Sequence, residues 1–124
     1  MAITFDPRLR TEQITPGLVR YIVERIAQEI NPAKIIVFGS QVKDKGGVDS
    51  DLDLFVVNDT GRPNRVVRQA IERLLFGRYF GIDIIVRTPA EVAANLDDGN
   101  PFYTREIFGL GKVLYDREAA RRDA

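Results

Sequence analysis

The segment IIVFGSQVKDKGGVDSDLDLFVV, residues 35–57, constrains the chain more than any other. It reads as an apolar strand ending in Gly39-Ser40, a polar connection of ten residues, and Asp51-Leu52-Asp53 opening a second apolar strand. Carboxylates at the mouth of a buried strand are costly, because desolvated charge without a partner is penalised by several kcal/mol unless it is paired or metal-bound. The segment therefore points to a metal site.

The remaining residues restrict which metal. The chain has neither histidine nor cysteine, which removes the usual zinc, haem and iron–sulfur ligands and both the Ser-His-Asp and Cys-His nucleophile systems. Oxygen ligands remain, and they favour magnesium, manganese or calcium. Lys plus Arg and Asp plus Glu number 18 each, so no whole-molecule field draws in nucleic acid, which argues against direct nucleic-acid binding. The length of 124 residues suits a single domain over 1–124 with a core of about 16–116. No run is long and apolar enough for a membrane span, and the N-terminal residues lack a secretory pattern, so a cytoplasmic location is expected.

Hydrophobic periodicity orders the elements. Residues 1–14 carry no sustained period and read as an irregular arm. Thr15-Pro16 starts a helix whose apolar stripe runs from Leu18 to Ile30, and Asn31-Pro32 ends it. Lys34 to Phe38 and Leu52 to Val57 are apolar runs without alternation, as expected of strands covered on both faces. A single helical turn is expected at Ser40. Pro63 opens a second helix toward Gly77, with Val66, Val67, Ala70, Ile71, Leu74 and Leu75 as one apolar stripe and Arg65, Arg68, Gln69, Glu72 and Arg73 facing water. Ile82 to Val86 is a third strand interrupted by Asp83. Thr88 and Glu91 form a capping box; a further helix follows from Pro101 through Ile107, then an edge strand at Lys112 to Tyr115 and a charged tail. This order predicts an α/β fold, a small mixed β-sheet flanked by α-helices.

Side chains alternate along a strand, so Asp51 and Asp53 share a side, and Asp83 occupies the equivalent position in a later strand. The intervening helix is long enough for a parallel crossover, which would gather all three acids at one sheet end, with Gly39-Ser40 returning to that end on an antiparallel neighbour. Three carboxylates without a basic partner repel one another, and two magnesium ions would relieve the repulsion and suit phosphoryl or nucleotidyl transfer. Gly39 permits close backbone approach, while Ser40 and Lys43 would hold phosphate oxygens. A Gly-Ser turn or an Asp-x-Asp alone is a common structural feature; the weight lies on their joint spacing.

That spacing, Gly39-Ser40, ten residues, Asp51-Leu52-Asp53 and a later Asp83, resembles the signature of the polymerase-beta-type nucleotidyltransferase superfamily. The small size and the closing Gly111-Lys112-Val113-Leu114-Tyr115 are similar to its minimal nucleotidyltransferase branch. The resemblance implies that Asp51 and Asp53 bind both metals, that Asp83 joins at the catalytic metal and helps deprotonate the acceptor, and that Ser40 contacts the triphosphate. It implies transfer of AMP from ATP to a hydroxyl acceptor, and a partner: a small helical HEPN protein, in a toxin–antitoxin system where this chain modifies or binds the toxin. A non-catalytic antitoxin acting by contact and a small-molecule adenylyltransferase are the alternatives, and a homo-oligomer is a second source of the acceptor surface. Many members follow Gly-Ser with a small residue, an arginine and a glycine; here Gln41-Val42-Lys43-Asp44 stands instead, and an acid beside a triphosphate weakens its binding.

Overall fold

A computed structural model describes residues 6–41 and 51–122. Lys43 and the rest of the polar connection lie outside these described residues, as does the side chain of Ser40. The chain forms α1 (Pro16–Ile30), β1 (Lys34–Phe38), β2 (Leu52–Val57), α2 (Asn64–Leu74), β3 (Ile82–Arg87), α3 (Pro89–Asp97), β4 (Lys112–Asp116) and α4 (Arg117–Arg122). Four strands make one mixed sheet in the order β3-β2-β1-β4. β1 is antiparallel to both β2 and β4, whereas β2 and β3 are parallel across the α2 crossover. Among the described residues no helix is long and apolar enough to cross a membrane.

Local chemistry sets the boundaries. Thr15 caps α1, its hydroxyl accepting from the Leu18 N–H, with Pro16 at the first helical position. Asn31 ends the helix in the left-handed region at φ 54°, which asparagine tolerates better than most residues. Thr88 and Glu91 cap α3 reciprocally, the Glu91 carboxylate accepting from the Thr88 N–H at 2.8 Å and the Thr88 hydroxyl from the Glu91 N–H at 3.2 Å, satisfying two otherwise orphaned donors.

Both sheet faces are covered. On one, the α1 stripe of Leu18, Ile22 and Ile26 and the α2 stripe of Val67 and Ile71 pack against Ile35, Leu52, Leu54, Val56 and Ile84. On the other, Ile36, Phe38, Phe55 and Val57 meet Val92, Tyr103 and Ile107. Each fully buried large apolar side chain stabilises the fold by about 1.5–3 kcal/mol, so this two-sided core fixes the sheet rigidly beneath the acids.

Two expectations are corrected. The stretch read as an irregular arm is ordered against α1 in its described part: Pro7–Leu9 forms a short 3-10 turn, Leu9 is completely buried, and Asp6 accepts from Tyr21 and from Arg25 of α1. Segments this short carry too little periodicity to reveal docking through single contacts. The segment after Pro101 is a π-helical turn, Phe102–Ile107, with Phe108 N–H bonding to Tyr103 O and Leu110 N–H to Arg105 O. Tyr103 and Ile107, four residues apart on this turn, both reach the core.

Candidate active site

β2 and β3 position two of the acids. Their parallel register places Asp53 directly beside Asp83, each second in its strand, while β1 sets Phe38 opposite Asp53 from the other side. By alternation Asp53 shares a face with Phe55, and Asp83 with Ile85. Asp51 precedes β2 at the same end; a Cβ on Gly81 would lie 2.1 Å from its Oδ1, so the bare glycine is what leaves that carboxylate room. Gly39 plays the matching part on β1: with φ at +77°, it opens a 3-10 turn over Gly39–Gln41, and a Cβ there would lie 2.2 Å from Asp53 Oδ2. The expected turn at Ser40 is thus present, started by a glycine in a backbone region that other residues rarely adopt.

Burial differs from the expectation. Asp53 is partly buried, but Asp51 and Asp83 are exposed, because they lie where the strands emerge from the core. Electrostatic strain concentrates on Asp53, whose pKa is pushed up from 3.8 to about 6 by burial first, then by the Asp83 charge, a hydrogen bond to Asp83 and the Asp51 charge. Among the described residues, no group of three such ligands is arranged to hold one ion; Asp53 and Asp83 converge, and Asp51 stands off beside Gly81. The donor set nevertheless fits hard divalent cations: it is all oxygen, and positive charge is what relieves the repulsion on Asp53.

Asp53 and Asp83 open into a cleft of about 360 Å³ that also takes in Phe38, Phe102, Arg68 and Glu72. The periodicity of α2 puts Arg68 and Glu72 on a solvated helix face. They are exposed, with Arg68 Nε 3.9 Å from Glu72 Oε1, yet α2 packs over the edge strand β3 and both residues line the cleft with Asp83. Periodicity gives the outward face of a helix but not the sheet edge it overhangs, so only the topology finds them. A larger groove of about 680 Å³ runs between α1 and β4. Its lining is dominated by Val19, Val23, Ala27, Val37 and Leu114 and gathers no converging carboxylates, so chemistry rather than size assigns the site to the smaller cleft.

Residues 21–120 match the profile of the family described as Polymerase beta, Nucleotidyltransferase. No curated protein matches the chain. Among solved structures, it is similar to a Sulfolobus solfataricus protein classed as a nucleotidyltransferase, at 19% identity and a TM-score of 0.53, over 82% of this chain and 80% of that one; at this identity the likeness is one of fold. A toxin–antitoxin structure with AMP-PNP is 14% identical with a TM-score of 0.47, over 83% of this chain and 77% of that one. The matched residues run from within α1 into α4 and take in Gly39, Asp51, Asp53 and Asp83, and the chain belongs to the polymerase beta nucleotidyltransferase family.

Proposed function

We propose that this chain is a magnesium-dependent nucleotidyltransferase that moves AMP from ATP onto a hydroxyl of a helical HEPN-type partner, restraining that partner as a cytoplasmic antitoxin. The observation that carries the reading is the in-register pair Asp53 and Asp83, with Asp51 at the same sheet end and Gly39 making room for the Asp53 carboxylate. Asp51 and Asp53 are the residues that would hold both magnesium ions, with Asp83 joining on the acceptor side. When bound, the ions neutralise the triphosphate and lower the pKa of the acceptor hydroxyl. The hydroxyl oxygen bonds to the α-phosphorus as the bridging P–O bond to the β-phosphate breaks. Its proton passes to the exposed Asp83 carboxylate, and pyrophosphate leaves past Gly39; Ser40 and Lys43 are the residues proposed to hold phosphate oxygens.

A protein acceptor accords with the surface around β4. Leu110 and Val113 are each 49% exposed and Leu114 37%, a run of apolar residues suited to contact. The ladder between β1 and β4 slips between Ile35 and Ile36, and Lys112 stands on this edge. An irregular strand bearing lysine discourages a second copy from adding to the sheet, which favours a different protein as the partner. The same surface supports the second reading, neutralisation by contact alone.

Incubation with α-labelled ATP, magnesium and the protein encoded beside this one should label that protein, and the Asp51→Asn/Asp53→Asn variant should leave it unlabelled. Equal labelling by the variant would sink the catalytic reading. Full neutralisation of the partner by the same variant, without label, would establish the contact reading in its place.

A further inference from the structure

One aromatic ring in the carboxylate cleft has no part in the chemistry above. Phe102, the first residue of the π-helical turn, is 37% exposed and lines the same cleft as Asp53 and Asp83. A lone exposed phenylalanine is ordinary; its setting here is not. Its ring lies 5.6 Å from Phe38 at an interplanar angle of 87°, and 5.9 Å from Tyr103 at 82°. Neither neighbour is stacked face to face on it. Phe38 is buried and directly opposite Asp53 in the β1–β2 ladder, so Phe102 stands one ring away from the central carboxylate.

Its backbone is also fixed. The Asn100 side chain accepts from the Phe102 N–H at 3.1 Å and donates to Asn95 Oδ1 at 2.9 Å, tying the start of the turn to α3. π-helical turns are rare and recur at functional sites, and a rigidly backed aromatic ring loses little conformational freedom when a flat ligand stacks on it.

We infer that Phe102 is the platform on which the nucleobase of the donor nucleotide stacks, with the triphosphate reaching from there toward Gly39 and the acids. This inference rests on the proposed nucleotidyltransferase reading. Stacking accepts any base, since every base presents a π-face, so Phe102 contributes affinity for nucleotides as a class rather than a choice among them.

The chain contains no tryptophan, so Phe102→Trp introduces a sole indole reporter. With magnesium, AMP-PNP should quench its emission saturably, whereas inorganic tripolyphosphate, which lacks a base, should not. By calorimetry, Phe102→Leu, which keeps an apolar side chain on Phe38, should weaken AMP-PNP binding roughly tenfold to hundredfold and leave tripolyphosphate affinity unchanged. Phe102→Tyr should restore AMP-PNP binding. Wild-type affinity in the Leu variant, or equal quenching by tripolyphosphate, overturns the inference while leaving the nucleotidyltransferase reading intact. Failure of wild type to bind AMP-PNP at all removes both.

Discussion

Replacing Asp53 with asparagine should abolish nucleotidyl transfer and at the same time stabilise the metal-free protein at neutral pH. The two effects have one cause. The Asp53 pKa rises from 3.8 to about 6 through burial and the charges of Asp83 and Asp51, so the folded state binds its proton more tightly than the unfolded chain does. Stability of the metal-free protein therefore falls as pH rises from about 4 to 6, and the whole penalty is present above that window. A two-unit shift corresponds to about 3 kcal/mol, and solvent screening of this partly exposed group reduces it to about 1–2 kcal/mol. Urea unfolding in EDTA should find Asp53→Asn more stable than wild type by that amount at pH 7, and the advantage should shrink toward pH 5. Asp59, held low by its hydrogen bond from Arg117, and Glu91, held low by the Thr88 N–H, act in the opposite sense but at lower pH. They contribute stability that is lost only as pH falls below the ordinary carboxylate range, so the interval from pH 5 to 7 reports on Asp53. Transfer activity should fall on the order of 10³-fold or more, since a metal-binding carboxylate supplies several kcal/mol at the transition state. An Asn variant that is less stable at pH 7 in EDTA, or that keeps its activity, would contradict this account of Asp53.

Gly39→Ala should produce the second large loss, and a control separates its two components. At φ +77° an alanine is strained by roughly 1–2 kcal/mol. Its Cβ would also fall 2.2 Å from Asp53 Oδ2, and the short aspartate side chain must shift from its present position to clear it. Misplacing a catalytic group by about 1 Å costs on the order of 10²-fold in rate. Gly61 shares the positive φ, at +85°, but has nothing within 4 Å of where a Cβ would go. Gly61→Ala should therefore lower the melting temperature by a few degrees, roughly as much as Gly39→Ala, and leave transfer intact. If Gly39→Ala is as active as Gly61→Ala, the glycine serves only the turn.

The sheet was legible in the sequence because its strands are uniformly apolar and both faces are covered, so Lys34–Phe38, Leu52–Val57 and Ile82–Arg87 fall where the apolar runs do. The pairing of Asp53 with Asp83 was legible because each interrupts such a run, and a crossover of the length of α2 suffices to make β2 and β3 parallel. The exposure of Asp51 and Asp83 was not, because the boundary between core and solvent at a strand end depends on what lies above it. Arg68 and Glu72 escaped because an amphipathic pattern ranks a helix by its buried face and says nothing of what its rim overlooks. Phe102 escaped for a different reason: the segment after Pro101 reads as an ordinary helix, and one extra residue in the turn changes which side chains face the cleft. The arm residues Asp6 and Leu9 are tied down by individual long-range contacts, to Arg25 and to the Tyr79 N–H, which no local pattern encodes.

The central claim is that Asp51, Asp53 and Asp83 together hold divalent cations for nucleotidyl transfer. Its most direct test is a manganese titration of the protein with saturating AMP-PNP, followed by electron paramagnetic resonance. The account predicts two bound ions per wild-type chain and loss of protein-dependent binding in the Asp51→Asn/Asp53→Asn variant, measured against AMP-PNP and manganese without protein. The same manganese occupancy in the variant as in wild type would contradict it.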